Sequence, residues 1–66
     1  MNETTFDDLD VQILRGVAGG HSRARIAADL SIGAATVSRR ITSMRARTES
    51  VNRIHLAVWA VREGII

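Results

Sequence analysis

Residues 22 to 48 read SRARIAADLSIGAATVSRRITSMRART, and this stretch decides the fold. An apolar face that ends at Leu30 predicts a short helix with Ser22 as its N-cap. The Ser-Ile-Gly run at residues 31 to 33 then breaks that helix. A longer helix follows from about Ala34 to Thr48. Two helices joined by so short a turn are typical of a helix-turn-helix unit.

The longer helix combines a narrow apolar seam with a cationic outer face. The inward positions are Ala34, Val37, Ile41, Met44 and Thr48. At 100° per residue, Ala35, Arg39, Thr42 and Ala46 lie opposite this seam, with Arg40 and Arg47 on one flank and Ser38 and Arg45 on the other. Small side chains permit close approach to the major groove, and Arg39 can contact guanine through two hydrogen bonds. The flanking arginines can meet phosphates, so the helix favours DNA binding over a merely solvated face.

A helix is also predicted before this stretch. Leu9, Ile13 and Val17 recur every four residues, which predicts an amphipathic helix from about Asp8 to Ala18. Asp7 is a good N-cap for it, and helix capping explains the acidic residues at this end without any acid-base chemistry.

The fourth predicted helix runs from about Val51 to Glu63, between Ser50 as its N-cap and Gly64. Its apolar arc covers roughly 200°, about twice the width that a surface helix needs. Trp59 stands in the middle of the remaining polar arc, where it could be a core anchor or an interface anchor. An outward tryptophan favours the second, because tryptophan is enriched in interface hot spots. We therefore predict a symmetric dimer with these contact residues: His55, Val58, Trp59 and Arg62.

Charge and length narrow the class of protein further. The chain has 66 residues, which predicts one domain with a small core, and it has no cysteine. The net charge is only +2, but residues 23 to 53 hold seven arginines and two acidic residues. The apolar runs are too short for a membrane span, and the acidic start is unlike a targeting peptide, so the expected location is cytoplasmic.

The chain resembles the LuxR-type (GerE-like) helix-turn-helix domain from about Phe6 to Ile66. The motifs that carry the resemblance are Ser22-Arg-Ala-Arg-Ile-Ala-Ala-Asp-Leu30, Ser31-Ile-Gly-Ala-Ala-Thr-Val37, Asn52-Arg53 and Gly64-Ile-Ile66. The resemblance implies an all-α, four-helix domain at residues 6–66, preceded by a flexible tail at residues 1–5. Its third helix would read the major groove of a double-stranded operator, and its fourth helix would hold two copies together as a homodimer. Such a protein would be a bacterial transcriptional regulator associated with the nucleoid.

The resemblance also implies roles by position. Ser38, Arg39 and Thr42 match base-reading positions, to which the helical wheel adds Ala35. Positions near phosphates are matched by Ser22, Arg23, Thr36, Arg40, Arg45 and Arg47. Arg25 replaces the usual glutamate of the second helix and is a further phosphate candidate. Gly33 replaces the usual N-cap serine, so the third helix should lack a side-chain cap.

Other readings of the sequence remain. His21 and His55 lie in different elements without a third ligand, so no metal site is predicted. No glycine-rich phosphate loop or nucleophile motif is present, so neither an enzyme nor a cofactor is predicted. The alternative function is a helical protein-interaction module that binds an acidic partner of the transcription machinery. RNA polymerase is a candidate partner in either case, and the chain encodes no small-molecule site. A stand-alone regulator and an effector domain of a larger protein both fit.

Overall fold

The computed structural model describes residues 6–66, and this part of the chain contains four helices and no strand. The helices are α1 (Asp8–Ala18), α2 (Arg23–Leu30), α3 (Ala34–Thr48) and α4 (Arg53–Arg62). The all-α, four-helix prediction is confirmed, and α1 and α3 have the predicted bounds. The predicted flexible tail, residues 1–5, lies outside the described residues.

The first three helices begin as the sequence predicts. The Asp7 carboxylate accepts a hydrogen bond from the Asp10 backbone N–H at 2.8 Å, and the Ser22 hydroxyl accepts one from the Arg25 N–H at 3.1 Å. Each cap satisfies one of the backbone donors that the first turn of a helix leaves unpaired. Gly33 precedes α3 and makes no side-chain cap, also as expected.

The turn between α2 and α3 depends on one residue in the left-handed conformation. Ser31 has φ 56°, and its N–H donates to the Ala28 carbonyl at 3.2 Å. The next N–H, of Ile32, donates to the Ala27 carbonyl at 3.0 Å. These bonds close α2 and reverse the chain within three residues, so α3 follows directly on α2.

The start of α4 differs from the prediction. Its N-cap is Asn52, whose side chain accepts from the His55 N–H at 2.8 Å, so the prediction of Ser50 as N-cap is wrong. Ser50 is buried, and its hydroxyl lies 2.6 Å from that of Thr48. Because Glu49 ends α3 in the left-handed conformation, at φ 57°, the chain turns over the next three residues before α4 can begin.

One core joins the four helices. Its buried apolar residues are Ile13, Leu14, Val17, Ile26, Ala27, Val37, Ile41, Met44, Leu56, Ala57 and Ala60. Gly16 permits the close approach of α1 and α2, since a Cβ at this position would lie 2.6 Å from Cγ1 of Ile26. Val37, Ile41 and Met44 of the predicted seam face this core, whereas Ala34, in the first turn of α3, is exposed, so its predicted inward position is wrong. The opposite face of α3 is directed away from the protein.

Candidate nucleic-acid interface

The outer face of α3 is exposed along the line that the helical wheel predicts. Ala35, Arg39, Thr42 and Ala46 are all exposed, whereas Val37, Ile41 and Met44 are buried. The Arg39 guanidinium makes one weak bond, from Nη2 to Thr36 Oγ1 at 3.3 Å. Arginine has five N–H donors, so most of those of Arg39 remain available to a ligand.

A cationic groove borders this face on the side of α2 and α4. It has a volume of about 330 Å³ and is lined by Arg23, Ser38, Ile41, Thr42, Arg45, Asn52 and Arg53. Three helices thus place three arginines around one depression. Arg23 comes from the first turn of α2, Arg45 from the last turn of α3 and Arg53 from the first turn of α4.

The arginines of the cationic groove have neutral partners. Arg45 donates to the Val51 carbonyl at 2.6 Å and to the Ser50 carbonyl at 3.4 Å, which fastens the loop between α3 and α4. Arg53 donates to the His21 carbonyl at 2.8 Å. Carbonyl groups orient a guanidinium without cancelling its charge. Within residues 6–66, the arginines in ion pairs are Arg25, Arg40 and Arg47, so the groove retains its positive charge.

The opposite side of α3, the paired flank, consists of Arg40 and Arg47 with Asp7 and Asp10 of the α1 N-terminus. Arg40 Nη1 lies 2.8 Å from Asp7 Oδ2 and 3.1 Å from Asp10 Oδ1, and Arg47 Nη2 lies 3.6 Å from Asp10 Oδ2. Asp10 is only 4% exposed, so its charge depends on these two partners. The Arg40 guanidinium thus joins α3 to α1, and its predicted phosphate contact, which competes with these ion pairs, stays a prediction.

Electrostatics favour the charged forms on the paired flank. The Asp10 N–H and the Arg40 guanidinium, which both donate to the Asp7 carboxylate, lower the pKa of Asp7. The hydrogen bonds from Arg40 to Asp7 and Asp10 raise the pKa of Arg40. Arg47 also lies over the Phe6 ring, with Cζ 4.8 Å from the ring centroid, so its predicted phosphate role competes with two intramolecular contacts.

The remaining predicted phosphate residues lie near the N-termini of α2 and α3. Arg25 forms an exposed ion pair with Asp29 at 3.4 Å, so its positive charge has a negative charge beside it. Ser22 is exposed but its oxygen already caps α2, and Thr36 is half-buried and accepts from Arg39. These groups are present at the edge of the interface, but the uncompensated charge is in the cationic groove.

Trp59 is not the exposed residue that the wheel predicts. It is half-buried and packs on the core, and its ring meets the Phe6 ring edge to face, with centroids 5.7 Å apart. Phe6 precedes α1, so no wheel drawn for α4 alone could include it. The prediction of an outward Trp59 is wrong, because one side of the ring is packed on the core, whereas its predicted part in a dimer contact stays a prediction.

The exposed apolar surface of α4 lies elsewhere on the helix. Ile54 is 64% exposed, Val58 47% and Val61 58%. Together with α1 they form an apolar groove of about 330 Å³, lined by Val17, Ala18, Ile54, Ala57, Val58, Val61 and Arg62. Two predicted interface residues, Val58 and Arg62, line this groove. His55 is exposed at the start of α4, where its Nδ1 accepts from the Val51 N–H at 3.1 Å.

Asn52 and Arg53 are the polar residues of the cationic groove that no predicted site included. Both belong to the Asn-Arg motif, and Asn52 also caps α4, so the motif sets the start of the helix and the position of the Arg53 guanidinium together. These two residues belong to the groove because the start of α4 lies near α2. The sequence does not show that proximity, so it could not assign them to the site. In residues 6–66 no cluster of potential metal ligands occurs, and no helix is long and apolar enough to cross a membrane.

A short helix, a three-residue turn and a longer helix with an exposed cationic face define the class of helix-turn-helix DNA-binding domains. The family model for bacterial regulatory proteins of the luxR family, GerE, matches residues 9–60. The chain belongs to this family and is a DNA-binding regulatory domain, so the resemblance noted in the sequence is confirmed. No curated protein matches the chain significantly.

Proposed function

We propose that this protein is a dimeric bacterial transcriptional regulator that binds a specific double-stranded operator with α3 in the major groove. The observation that carries the proposal is the continuity of the exposed outer face of α3 with the cationic groove. Base edges are read by side chains that can enter the groove, whereas the surrounding cations meet the phosphates. RNA polymerase is the second partner we propose, and the bacterial cytoplasm and nucleoid are the proposed location.

Each base-reading residue has a distinct part. Arg39 has donors for the O6 and N7 atoms of guanine, which it can contact together. Thr42 lies one turn further along the same face and offers a hydroxyl and a methyl group. Ala35 keeps the N-terminal part of α3 close to the bases, and Ser38 lies at the border with the cationic groove.

The phosphate contacts are assigned to the cationic groove, with Arg23, Arg45 and Arg53 as the main cations. Ser22, Thr36 and Arg25 supplement them at the edge of the interface. The N-terminus of α2 adds backbone N–H groups, which favour a phosphate at this place. The paired flank is not part of this assignment, because its arginines already have carboxylate partners.

Salt dependence tests the proposal directly. Binding to a fluorescent duplex pool of random sequence should weaken with salt, with a log-log slope of about −0.9 for each neutralised phosphate. Three arginines per copy predict a slope near −3 for one copy and about twice that for a dimer. A specific operator, selected from the pool, should be bound about 10³-fold more tightly than the pool. If the protein does not bind DNA but does bind an acidic protein of the transcription machinery, the alternative function, a protein-interaction module, would be favoured.

The homodimer would form through the apolar groove of α4. A second copy is the proposed occupant because a two-fold axis brings the same apolar surface of two copies together, so that the exposed valine and isoleucine side chains of each would cover those of the other. This arrangement would place two copies of α3 in successive major grooves, about one helical turn apart.

Substitutions of Val58 and Trp59 distinguish a loss of the dimer contact from a loss of core stability. Val58→Asp should shift the mass in analytical ultracentrifugation toward the monomer while the helical circular dichroism is retained, because it puts a charge in the apolar groove. Trp59→Ala should instead lower the free energy of unfolding by about 2 kcal/mol, since it removes a half-buried aromatic side chain and its contact with Phe6. Val51→Asp is the matched control, as Val51 is 72% exposed and outside the groove. An unchanged mass for Val58→Asp would contradict this interface.

A further inference from the structure

Arg23 connects α2 to α3 through a side chain that the proposed function places at a base. Its Nη1 donates a hydrogen bond to Ser38 Oγ at 3.0 Å. The two residues are 15 positions apart, so this contact exists only when the two helices are packed in the helix-turn-helix arrangement. Both residues line the cationic groove. Both also line a second depression of about 360 Å³, together with Ala34 and with Ala35 and Arg39 of the base-reading face.

The contact restricts what the Ser38 hydroxyl can do. A hydroxyl has one hydrogen to donate and two lone pairs that accept. Thr48, on the same helix, donates its hydrogen to the Met44 carbonyl at 2.9 Å. No such bond from Ser38 to the backbone is seen in residues 6–66, and its oxygen accepts from Arg23 instead. The hydrogen of Ser38 is therefore available to a ligand, while one of the two lone pairs of its oxygen already accepts from a cation.

We infer that Arg23 is a positioning residue for specificity: it makes Ser38 a hydrogen-bond donor that selects a base with an acceptor in the major groove. The inference rests on the proposed function. Guanine O6 and N7, adenine N7 and thymine O4 are such acceptors, whereas the major-groove edge of cytosine offers only its N4 amino donor. The positive charge of Arg23 beside the hydroxyl further disfavours an amino group. Cytosine is therefore the base that the Ser38 position disfavours most, since the hydroxyl could bind its amino group only through the remaining lone pair, beside the charge of Arg23.

Arg23 can contact Ser38 and a DNA phosphate at the same time. One of its donors is used by Ser38, and the other N–H groups of the guanidinium remain for a phosphate oxygen. A phosphate bound there would fix the guanidinium, and the guanidinium would fix the hydroxyl. Loss of Arg23 should accordingly reduce two quantities together: the affinity for every sequence and the preference at one base position.

Selection from a random duplex pool, read by sequencing, measures that preference separately from affinity. For the unmodified protein, cytosine should be depleted about fivefold at one position of each half-site, which corresponds to about one hydrogen bond. Ser38→Ala identifies the position, since the depletion should vanish there and nowhere else. Arg23→Ala should bring the depletion at the same position to within about twofold, and it should also weaken binding to the whole pool. Arg23→Lys should retain part of the depletion.

Arg25→Ala is the matched control, because Arg25 lies in the same helical turn and pairs with Asp29 rather than with α3. It should leave the cytosine depletion at the Ser38 position unchanged. Thermal melts of all variants report folding independently. If Arg23→Ala keeps the full depletion that Ser38→Ala removes, the coupling is refuted while DNA recognition by α3 stands. If the unmodified protein selects no sequence, the proposed function fails and the inference fails with it.

Discussion

The two sides of α3 carry similar arginines and differ in what those arginines contact. In the cationic groove, Arg45 donates to backbone carbonyls, and Arg23 and Arg53 from the neighbouring helices also have neutral partners. On the paired flank, Arg40 and Arg47 face two aspartates of the α1 N-terminus. The first side keeps an unbalanced positive charge, to which we assign the phosphate contacts, and the second uses its cations to join α3 to α1.

The comparison shows that the position of a cation on a helix does not decide its role. All four arginines of α3 lie outside the apolar seam, and from the sequence the three on its flanks, Arg40, Arg45 and Arg47, are equally suited to a phosphate. The decisive difference is the partner supplied by another element: carboxylates from the start of α1 or carbonyls from the loop before α4. A small domain with marginal stability needs both kinds of contact, because its core alone buries little surface.

The largest expected effect is on the stability of the paired flank. Asp10→Ala should lower the free energy of unfolding by about 2 kcal/mol, because Asp10 is buried and its loss leaves two arginines without their shared carboxylate. For a domain of this size, that change corresponds to a drop in the melting temperature of about 10 °C.

Asp29→Ala is the control for this stability prediction. It removes the exposed ion pair with Arg25, which should contribute at most about 0.5 kcal/mol. Both melting temperatures can be measured by circular dichroism. Equal effects of the two substitutions would mean that the paired flank contributes no more than an ordinary surface ion pair.

The next effect concerns DNA affinity and compares two arginines of the same helix turn. Arg45→Gln should weaken binding about tenfold and reduce the magnitude of the salt slope by about 0.9 per copy, because one phosphate contact is lost. Arg47→Gln should leave the slope unchanged, since its guanidinium lies over Phe6 and near Asp10. Fluorescence anisotropy over a range of salt concentrations measures both.

The fraction of folded protein must be matched in this comparison, because Arg45 also fastens the loop after α3 and Arg47 contributes to the paired flank. Measurements well below the melting temperature of each variant meet this condition. Equal losses of slope for the two variants would show that the paired flank opens when DNA binds.

Local sequence patterns predict much of this fold. The caps at Asp7 and Ser22, the seam of α3 and its exposed opposite face depend on residues within one helix or its first turn, so spacing along the chain is enough to find them. The start of α4 was predicted two residues too early, since Ser50 and Asn52 are both good caps and only the αL ending of α3 at Glu49 selects between them.

The contacts between helices explain what the sequence could not show. Arg40 and Asp7 are 33 residues apart, and Trp59 is covered by Phe6 from the opposite end of the chain. A partial signal exists in the spacing, because Asp7 and Asp10 share one side of a helix turn and Arg40 and Arg47 are two turns apart on α3. The opposite charges of these two helix faces are compatible with a contact between them, but the spacing alone does not show that α1 and α3 lie side by side.

The smallest expected effect is the dependence of stability on acid, which again separates the two sides of α3. The pKa of Asp7 is lowered from its ordinary value of 3.8 by the Asp10 N–H and by Arg40. A carboxylate with a depressed pKa in the folded state stabilises the protein above about pH 4, and this contribution is lost as the pH falls through the folded-state value. Asp7→Asn keeps an N-cap acceptor and removes this titration.

Melting temperatures measured between pH 6 and pH 2.5 should show the unmodified protein as the more stable one at the upper end and the two curves converging at the lower end. Arg40→Gln should fall between them in its pH dependence, because it removes only one of the two groups that lower the pKa of Asp7. The cationic groove contains no carboxylate among residues 6–66, so Arg45→Gln should leave the shape of the curve unchanged. Parallel curves for Asp7→Asn and the unmodified protein would show that the carboxylate gives no pH-dependent support to the paired flank.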